Sequence, residues 1–133
     1  MSPPDPATAL PAPAGDVLVV EDNRNVAKAL STLLDHAGFE PATCHSGAEA
    51  MAAARTLTPV AVVLDVHLPD INGLVLAQKL RQRLGADVPI IIVSGDTSME
   101  TINSLSHVGA TYFFPKPVNA TALIGRIKEL LGR

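Results

Sequence analysis

Five polar side chains in this sequence stand at one recurring kind of place, the carboxyl end of an apolar run. Glu21 and Asp22 follow Val17-Leu18-Val19-Val20, and Asp65 closes Val60-Ala61-Val62-Val63-Leu64. Ser94 closes Ile90-Ile91-Ile92-Val93, and Lys116 comes just after Thr111-Tyr112-Phe113-Phe114. A polar group at the carboxyl end of a buried parallel strand lies in the crevice where open α/β sheets bind ligands. If the chain brings these ends together, three carboxylates share one crevice. At about 5 Å and an effective dielectric of about 20, each pair repels by roughly 3 kcal/mol. Lys116 offsets only one of the three charges. A divalent cation resolves the excess, and few carboxylates supplemented by water suit Mg²⁺ better than a Ca²⁺ cage. Carboxylate nucleophile, metal, ammonium and hydroxyl together are what phosphoryl transfer requires, because charge grows on the phosphoryl oxygens and must be met by cations and donors. Asp65, on the longest of these runs, is the expected centre.

Positioning such a set requires alternating strands and helices. Asp16–Val20 reads as the first strand. From Arg24 to Ala37, Val26, Ala29, Leu30, Leu33 and Leu34 recur at helical spacing, with Asn23 or Asn25 available as a cap and Gly38 suited to the end. Phe39 to His45 is a weak second strand, and Pro41 within it argues for a sheet edge. Ser46-Gly47-Ala48-Glu49 has capping-box spacing ahead of a second helix running to Leu57. The third strand spans Val60 to Asp65; a Pro69 to Gly73 turn and a helix over Leu74 to Leu84 follow. Val88 to Ser94 repeats the buried-strand pattern, and Thr97 to Glu100 offers a capping box for a fourth helix ending near Val108-Gly109. Its apolar pattern is weak, which predicts mobility. Thr111 to Phe114 is a fifth strand, with Pro115 again favouring an edge. Asn119 can cap a last helix carrying Leu123, Ile127, Leu130 and Leu131.

Five strands alternating with five helices predict an α/β three-layer sandwich, a flavodoxin-like (βα)5 fold with a parallel sheet of order 2-1-3-4-5. That order puts strands two and five, the two containing proline, at the edges. It also makes strands one and three neighbours, so that Glu21, Asp22 and Asp65 converge.

The 133 residues, 47% of them hydrophobic, fit a single core. Residues 1–15, rich in Pro and Ala, read as a disordered leader or linker, leaving 16–133 as the domain. With a net charge of −3 and no Lys/Arg cluster, the chain has no basic footprint, so direct contact with nucleic acid is not expected. No apolar run approaches the roughly 18 residues that span a bilayer, and a single cysteine, Cys44, fits a reducing compartment. No membrane contact and a cytoplasmic location are expected. His36, His45 and His107 lack the spacing of a zinc site, Cys44 reads as a small core hydrophobe, and Tyr112 and Phe114 as packing residues.

On these residues the chain resembles a receiver domain of the two-component response-regulator family. The resemblance rests on Val-Val-Glu-Asp-Asn, Leu-Asp-Val-His-Leu-Pro-Asp-Ile-Asn-Gly, Val-Ser-Gly-Asp and Gly-Ala-Thr-Tyr-Phe-Phe-Pro-Lys-Pro, in that order, and covers Asp16 to Leu131. It implies that Asp65 is the phosphoacceptor, taking a phosphoryl group from a histidine of a kinase or phosphotransfer protein. Asp22 and Asp65 would ligate Mg²⁺, with Glu21 acting largely through water and the His67 backbone carbonyl as a further ligand. Lys116 would pair with the acyl phosphate. Ser94 would bond a phosphoryl oxygen, draw the following loop inward and vacate space for Phe113, so that the surface of helix four, strand five and helix five becomes the output. It also implies a cis Lys116-Pro117 bond.

Phe113 stands where many relatives of this kind have tyrosine, so the switch is expected to be less tightly coupled. His67 and Asp96, two residues beyond Asp65 and Ser94, flank the pocket mouth and are expected to tune hydrolysis of the acyl phosphate. Two other functions compete. A haloacid-dehalogenase-like phosphohydrolase would need a second acid where His67 stands and its nucleophile on the first strand, and a constitutive docking domain would not need the full acid, lysine and serine set. Because the chain stops at Arg133, a stand-alone receiver or one excised from a larger protein is expected. Ser94-Gly95-Asp96-Thr97-Ser98 and Pro115-Lys116-Pro117-Val118 resemble receivers of hybrid histidine kinases.

Overall fold

The computed structural model describes residues 16–132; the leader expected over 1–15, and Arg133, lie outside the described residues. Five strands, β1 (Asp16–Val20), β2 (Glu40–Cys44), β3 (Ala61–Asp65), β4 (Ile90–Ser94) and β5 (Tyr112–Pro115), alternate with five helices. These are α1 (Arg24–His36), α2 (Gly47–Thr56), α3 (Gly73–Leu84), α4 (Met99–Ser104) and α5 (Ala120–Leu130). All strands pair in parallel in the order β2-β1-β3-β4-β5. This is the expected flavodoxin-like sandwich.

Both faces of the sheet are buried, which is why β3 and β4 are continuous apolar runs rather than alternating ones. Leu18, Val20, Val62, Leu64, Ile90 and Ile92 face Ala50 and Ala54 of α2 and Leu76, Ala77 and Leu80 of α3. Their neighbours Val17, Val19, Val63, Ile91 and Val93 face Leu34, Leu123 and Ile127 of α1 and α5. At roughly 1.5–3 kcal/mol for each large aliphatic side chain withdrawn from water, β3 and β4 are the rigid platform of the molecule. The prolines sit where a missing donor is tolerated: Pro41 on edge strand β2 opposite Val17, and Pro115 on edge strand β5 opposite Ser94. The Lys116-Pro117 bond is cis.

The fourth helix departs from expectation. It spans only Met99 to Ser104, and Leu105 to Gly109 is a run of turns in which Leu105, His107 and Gly109 bond back three residues. Its cap is Ser98, whose hydroxyl accepts the Thr101 N–H, rather than Thr97. The cause is local. Asp96 takes the Ser98 N–H in a local turn and Ser98 itself is extended, so the helix starts at Met99. Few buried apolar positions then exist to hold further turns. Beyond them Arg81 of α3 fastens the loop before β5, donating to the carbonyls of Gly85, Val88 and Gly109. No helix among the described residues is long and apolar enough to cross a membrane.

Candidate functional site

The polar ends of β1, β3, β4 and β5 meet at one edge of the sheet. Glu21 continues the β1 ladder through its N–H to the Cys44 carbonyl (2.9 Å), which fixes its side chain over the crevice. Asp65, the last residue of β3, is buried and is held from two sides. Its Oδ1 accepts the His67 N–H at 3.2 Å and its Oδ2 accepts Lys116 Nζ at 3.0 Å. Lys116 also reaches Glu21 Oε1 at 3.0 Å, so one ammonium bridges two buried carboxylates. Asp22 is exposed at the mouth. Carboxylate oxygens of Glu21, Asp22 and Asp65 lie within 4.8 Å of one another. Three negative charges against one positive leave the cluster two charges in excess, and an all-oxygen donor set of this size fits a hard divalent cation.

The charges act on one another in predictable directions. Burial raises the Glu21 carboxyl above its ordinary value, against the lowering pull of the Asn23 N–H and the Lys116 ammonium. Partial burial pulls Lys116 down, but its hydrogen bonds to Asp65 and Glu21 together outweigh this and the group is raised. It therefore stays charged throughout the physiological range.

The loop after β3 is tightly closed. Gly73 donates its N–H to the Val66 carbonyl (2.6 Å), His67 and Asn72 form an antiparallel bridge, and a β-carbon on Gly73 would overlap the Asp65 carbonyl. The His67 side chain is exposed at the rim. Ser94 is fully buried, and its Oγ accepts the Asp96 N–H at 2.9 Å. The Asp96 carboxylate in turn accepts the Ser98 N–H and the Thr101 hydroxyl at 2.7 Å, which hold it below its ordinary value. Phe113, opposite Ile92 in the sheet, is half-buried against the α2–α3 side of the core. Tyr112 and Phe114 pack on each other, their rings 5.1 Å apart; Tyr112 lies at the surface, with the Arg126 guanidinium 4.4 Å above it. Beside the acidic cluster, Val26, Leu30, Leu33, Val63, Val93 and Val118 line an apolar cavity of about 190 Å³.

Three contributors escaped the sequence reading. His45 donates Nδ1–H to the Glu21 carbonyl, Asp70 accepts two N–H groups of α2, and Thr101 holds Asp96. Only the Ser46/Glu49 capping box hinted that the turn before α2 was ordered.

With this geometry in place, comparison with known proteins defines the class. The description of the response regulator receiver domain matches residues 17–128, and the chain belongs to that family. It is thus a receiver domain of the two-component response-regulator kind, a phosphoacceptor module. It is 36% identical to the transcriptional regulatory protein PrrA of Mycobacterium bovis over 117 residues, 88% of this chain and 50% of that protein. It is 35% identical to the response regulator MprA of Mycobacterium avium over 118 residues, 88% and 51% of the two chains. The chain thus spans about half the length of these relatives. Among solved structures, a CheY-like receiver domain protein of Methanospirillum hungatei superposes with a TM-score of 0.84 at 27% identity, covering 89% of this chain and 94% of that one. The chemotaxis response regulator CheY4 of Vibrio cholerae gives 0.80 at 29%, covering 87% and 98%.

Proposed function

We propose that Asp65 is the phosphoacceptor and that the surrounding set transfers a phosphoryl group to it from a phosphohistidine. The observation that carries this is the two-charge excess around a buried, doubly held carboxylate. A carboxylate oxygen of Asp65 attacks phosphorus, the P–N bond to the donor imidazole breaks as the P–O bond forms, and the leaving nitrogen takes up a proton. Asp22, Asp65 and the His67 carbonyl would hold Mg²⁺, with Glu21 acting through water, and the ion would supply the positive charge that the three phosphoryl oxygens need. Lys116, already at Asp65 Oδ2, moves with little rearrangement onto the acyl phosphate. Ser94 donates its hydroxyl hydrogen to a phosphoryl oxygen, drawing its loop inward, and Phe113 turns into the space the loop leaves, which alters the face made by α4, β5 and α5.

On this reading the domain catalyses only its own phosphorylation and dephosphorylation. His67 and Asp96, two residues beyond Asp65 and Ser94, tune the second. Replacing either with Ala is expected to change the lifetime of the phosphorylated form, and an unchanged lifetime in both excludes the role. The partner is a histidine kinase or histidine phosphotransfer protein. The domain comprises residues 16–133 behind a Pro/Ala-rich linker, works in the cytoplasm and contacts neither nucleic acid nor membrane directly; its loop sequences favour an origin in a hybrid histidine kinase. The test is incubation with Mg²⁺ and acetyl phosphate followed by mass measurement. A gain of one phosphoryl group is expected, and its persistence in Asp65→Asn would sink the assignment.

A further inference from the structure

The β3–α3 loop is pinned at its base by Gly73 and Val66, but its tip is held by a contact across more than twenty residues of chain. The Asp70 carboxylate accepts the Gly47 N–H at 2.8 Å with Oδ1 and the Ala48 N–H at 2.9 Å with Oδ2. These are two of the donors that the first turn of α2 leaves without a partner in the helix. Ser46 Oγ accepts a third, the Glu49 N–H, and Glu49 Oε1 accepts the His45 N–H just ahead of the cap. Ile71 closes the contact, its Cγ2 lying where a β-carbon on Gly47 would stand. The two N–H groups, Gly47 first, hold the Asp70 carboxyl below its ordinary value.

The same turn reaches the other acidic loop. His45, two residues before Gly47, donates Nδ1–H to the Glu21 carbonyl at 3.0 Å, and the Cys44 carbonyl accepts the Glu21 N–H. The β2–α2 turn therefore spans the two loops that carry the acidic cluster, joined to one by His45 and to the other by Asp70. Between Asp65 and Asp70 lies His67, whose carbonyl belongs to the loop that the clamp holds.

We propose that Asp70 is a positioning residue for the divalent cation. By fastening the loop tip to the amino end of α2, it fixes the His67 carbonyl relative to Asp22 and Asp65. This rests on the reading of the acidic cluster as an Mg²⁺ site. Groups that orient metal ligands from outside typically change affinity by roughly 10–100-fold when removed, and a contact acting through a backbone ligand belongs at about the lower end.

The experiment is a Mg²⁺ titration followed by amide NMR shifts, with the metal-free thermal midpoint measured on the same samples. Asp70→Ala is expected to bind Mg²⁺ about tenfold more weakly. Asp70→Asn keeps one acceptor oxygen but turns an NH2 toward the second N–H, and is expected to fall between Asp70→Ala and the unaltered chain. Asp70→Glu keeps the charge but carries its oxygens one methylene too far, and is expected to weaken binding. Equal loss in Asp70→Asn and Asp70→Ala, with Asp70→Glu unaffected, would mean that charge alone acts and would overturn the proposal. So would a lowered midpoint in Asp70→Ala with unchanged Mg²⁺ affinity, which is a purely structural role. Should Asp70→Ala not fold, the Asn and Glu variants decide. If the unaltered chain binds no Mg²⁺, the metal reading falls and takes this inference with it; if it binds and all three variants match it, only the role of Asp70 falls.

Discussion

The site edge of the sheet has two halves held by different means. Around β1, β2 and β3, buried charges and backbone clamps interlock: Lys116 bridges Glu21 and Asp65, His45 holds the Glu21 carbonyl, and Asp70 ties the β3–α3 loop to α2. Around β4, α4 and β5, the order rests on a short chain of neutral or singly charged hydrogen bonds from Ser94 through Asp96 to Thr101. That chain supports a six-residue helix on which Met99 is 68% exposed, beside an edge strand. Each such bond contributes roughly 1 kcal/mol net. A phosphoryl group that takes the Ser94 O–H adds a charge-assisted bond of roughly 1.5–3 kcal/mol, comparable with the bonds of this chain, whereas nothing of that size loosens the first half. On the proposed function the chemistry sits on the fixed half and the response on the exchangeable one, as expected where function draws on the least stable elements.

The contrast is open to attack at several points. Lys116→Met leaves two buried carboxylates without their cation. Breaking a buried pair costs about 3–5 kcal/mol, and with the Lys116 side chain 31% exposed a loss of about 2 kcal/mol is expected in metal-free denaturant unfolding, partly restored by Mg²⁺. An unaltered midpoint would show that the fixed half does not depend on this bridge. Thr101→Val keeps the shape of a buried side chain but removes the Asp96 bond, at a cost of about 1 kcal/mol. Faster amide exchange confined to residues 96–104 is expected. Exchange that also quickens in β1 or β3 would erase the distinction between the halves.

Asp22→Asn removes one charge of the crowded three. In the metal-free state it is expected to raise stability, by at most about 1 kcal/mol for charges separated this far in water, while Mg²⁺ affinity falls. A destabilised variant would mean that Asp22 is structural. The pH response is the subtlest probe. Glu21 is raised above 4.5, so its contribution is full below that value and is lost as pH rises through its folded pKa. Asp70 and Asp96 are lowered below 3.8, so theirs is full above 3.8 and is lost as pH falls through their folded values. Metal-free stability should rise on mild acidification and then fall. Asp70→Asn is expected to blunt only the fall; blunting the rise as well would contradict the separation of the two groups.

Much of this was legible in the sequence, because the strands are buried on both faces and leave unbroken apolar runs whose carboxyl ends are chemically marked. Pro41 and Pro115 even gave the edges away. What was not legible depends on contacts distant in sequence. That one lysine bridges Glu21 and Asp65 follows from the reach of its side chain from just past β5 across β4, and the Asp70 clamp from the approach of α2, neither of which has a periodic signature. The short α4 was missed because capping-box spacing at Thr97 to Glu100 looks like a helix start. The start lies one residue further on, at the extended Ser98, and the helix stops at Ser104.

The most direct test compares amide hydrogen exchange of the domain before and after phosphorylation with Mg²⁺ and acetyl phosphate. Protection is predicted to change across residues 94–115, from Ser94 through α4 to β5, while β1 and β3 keep theirs. Unchanged protection across 94–115 in a protein whose mass shows the added phosphoryl group would contradict the account.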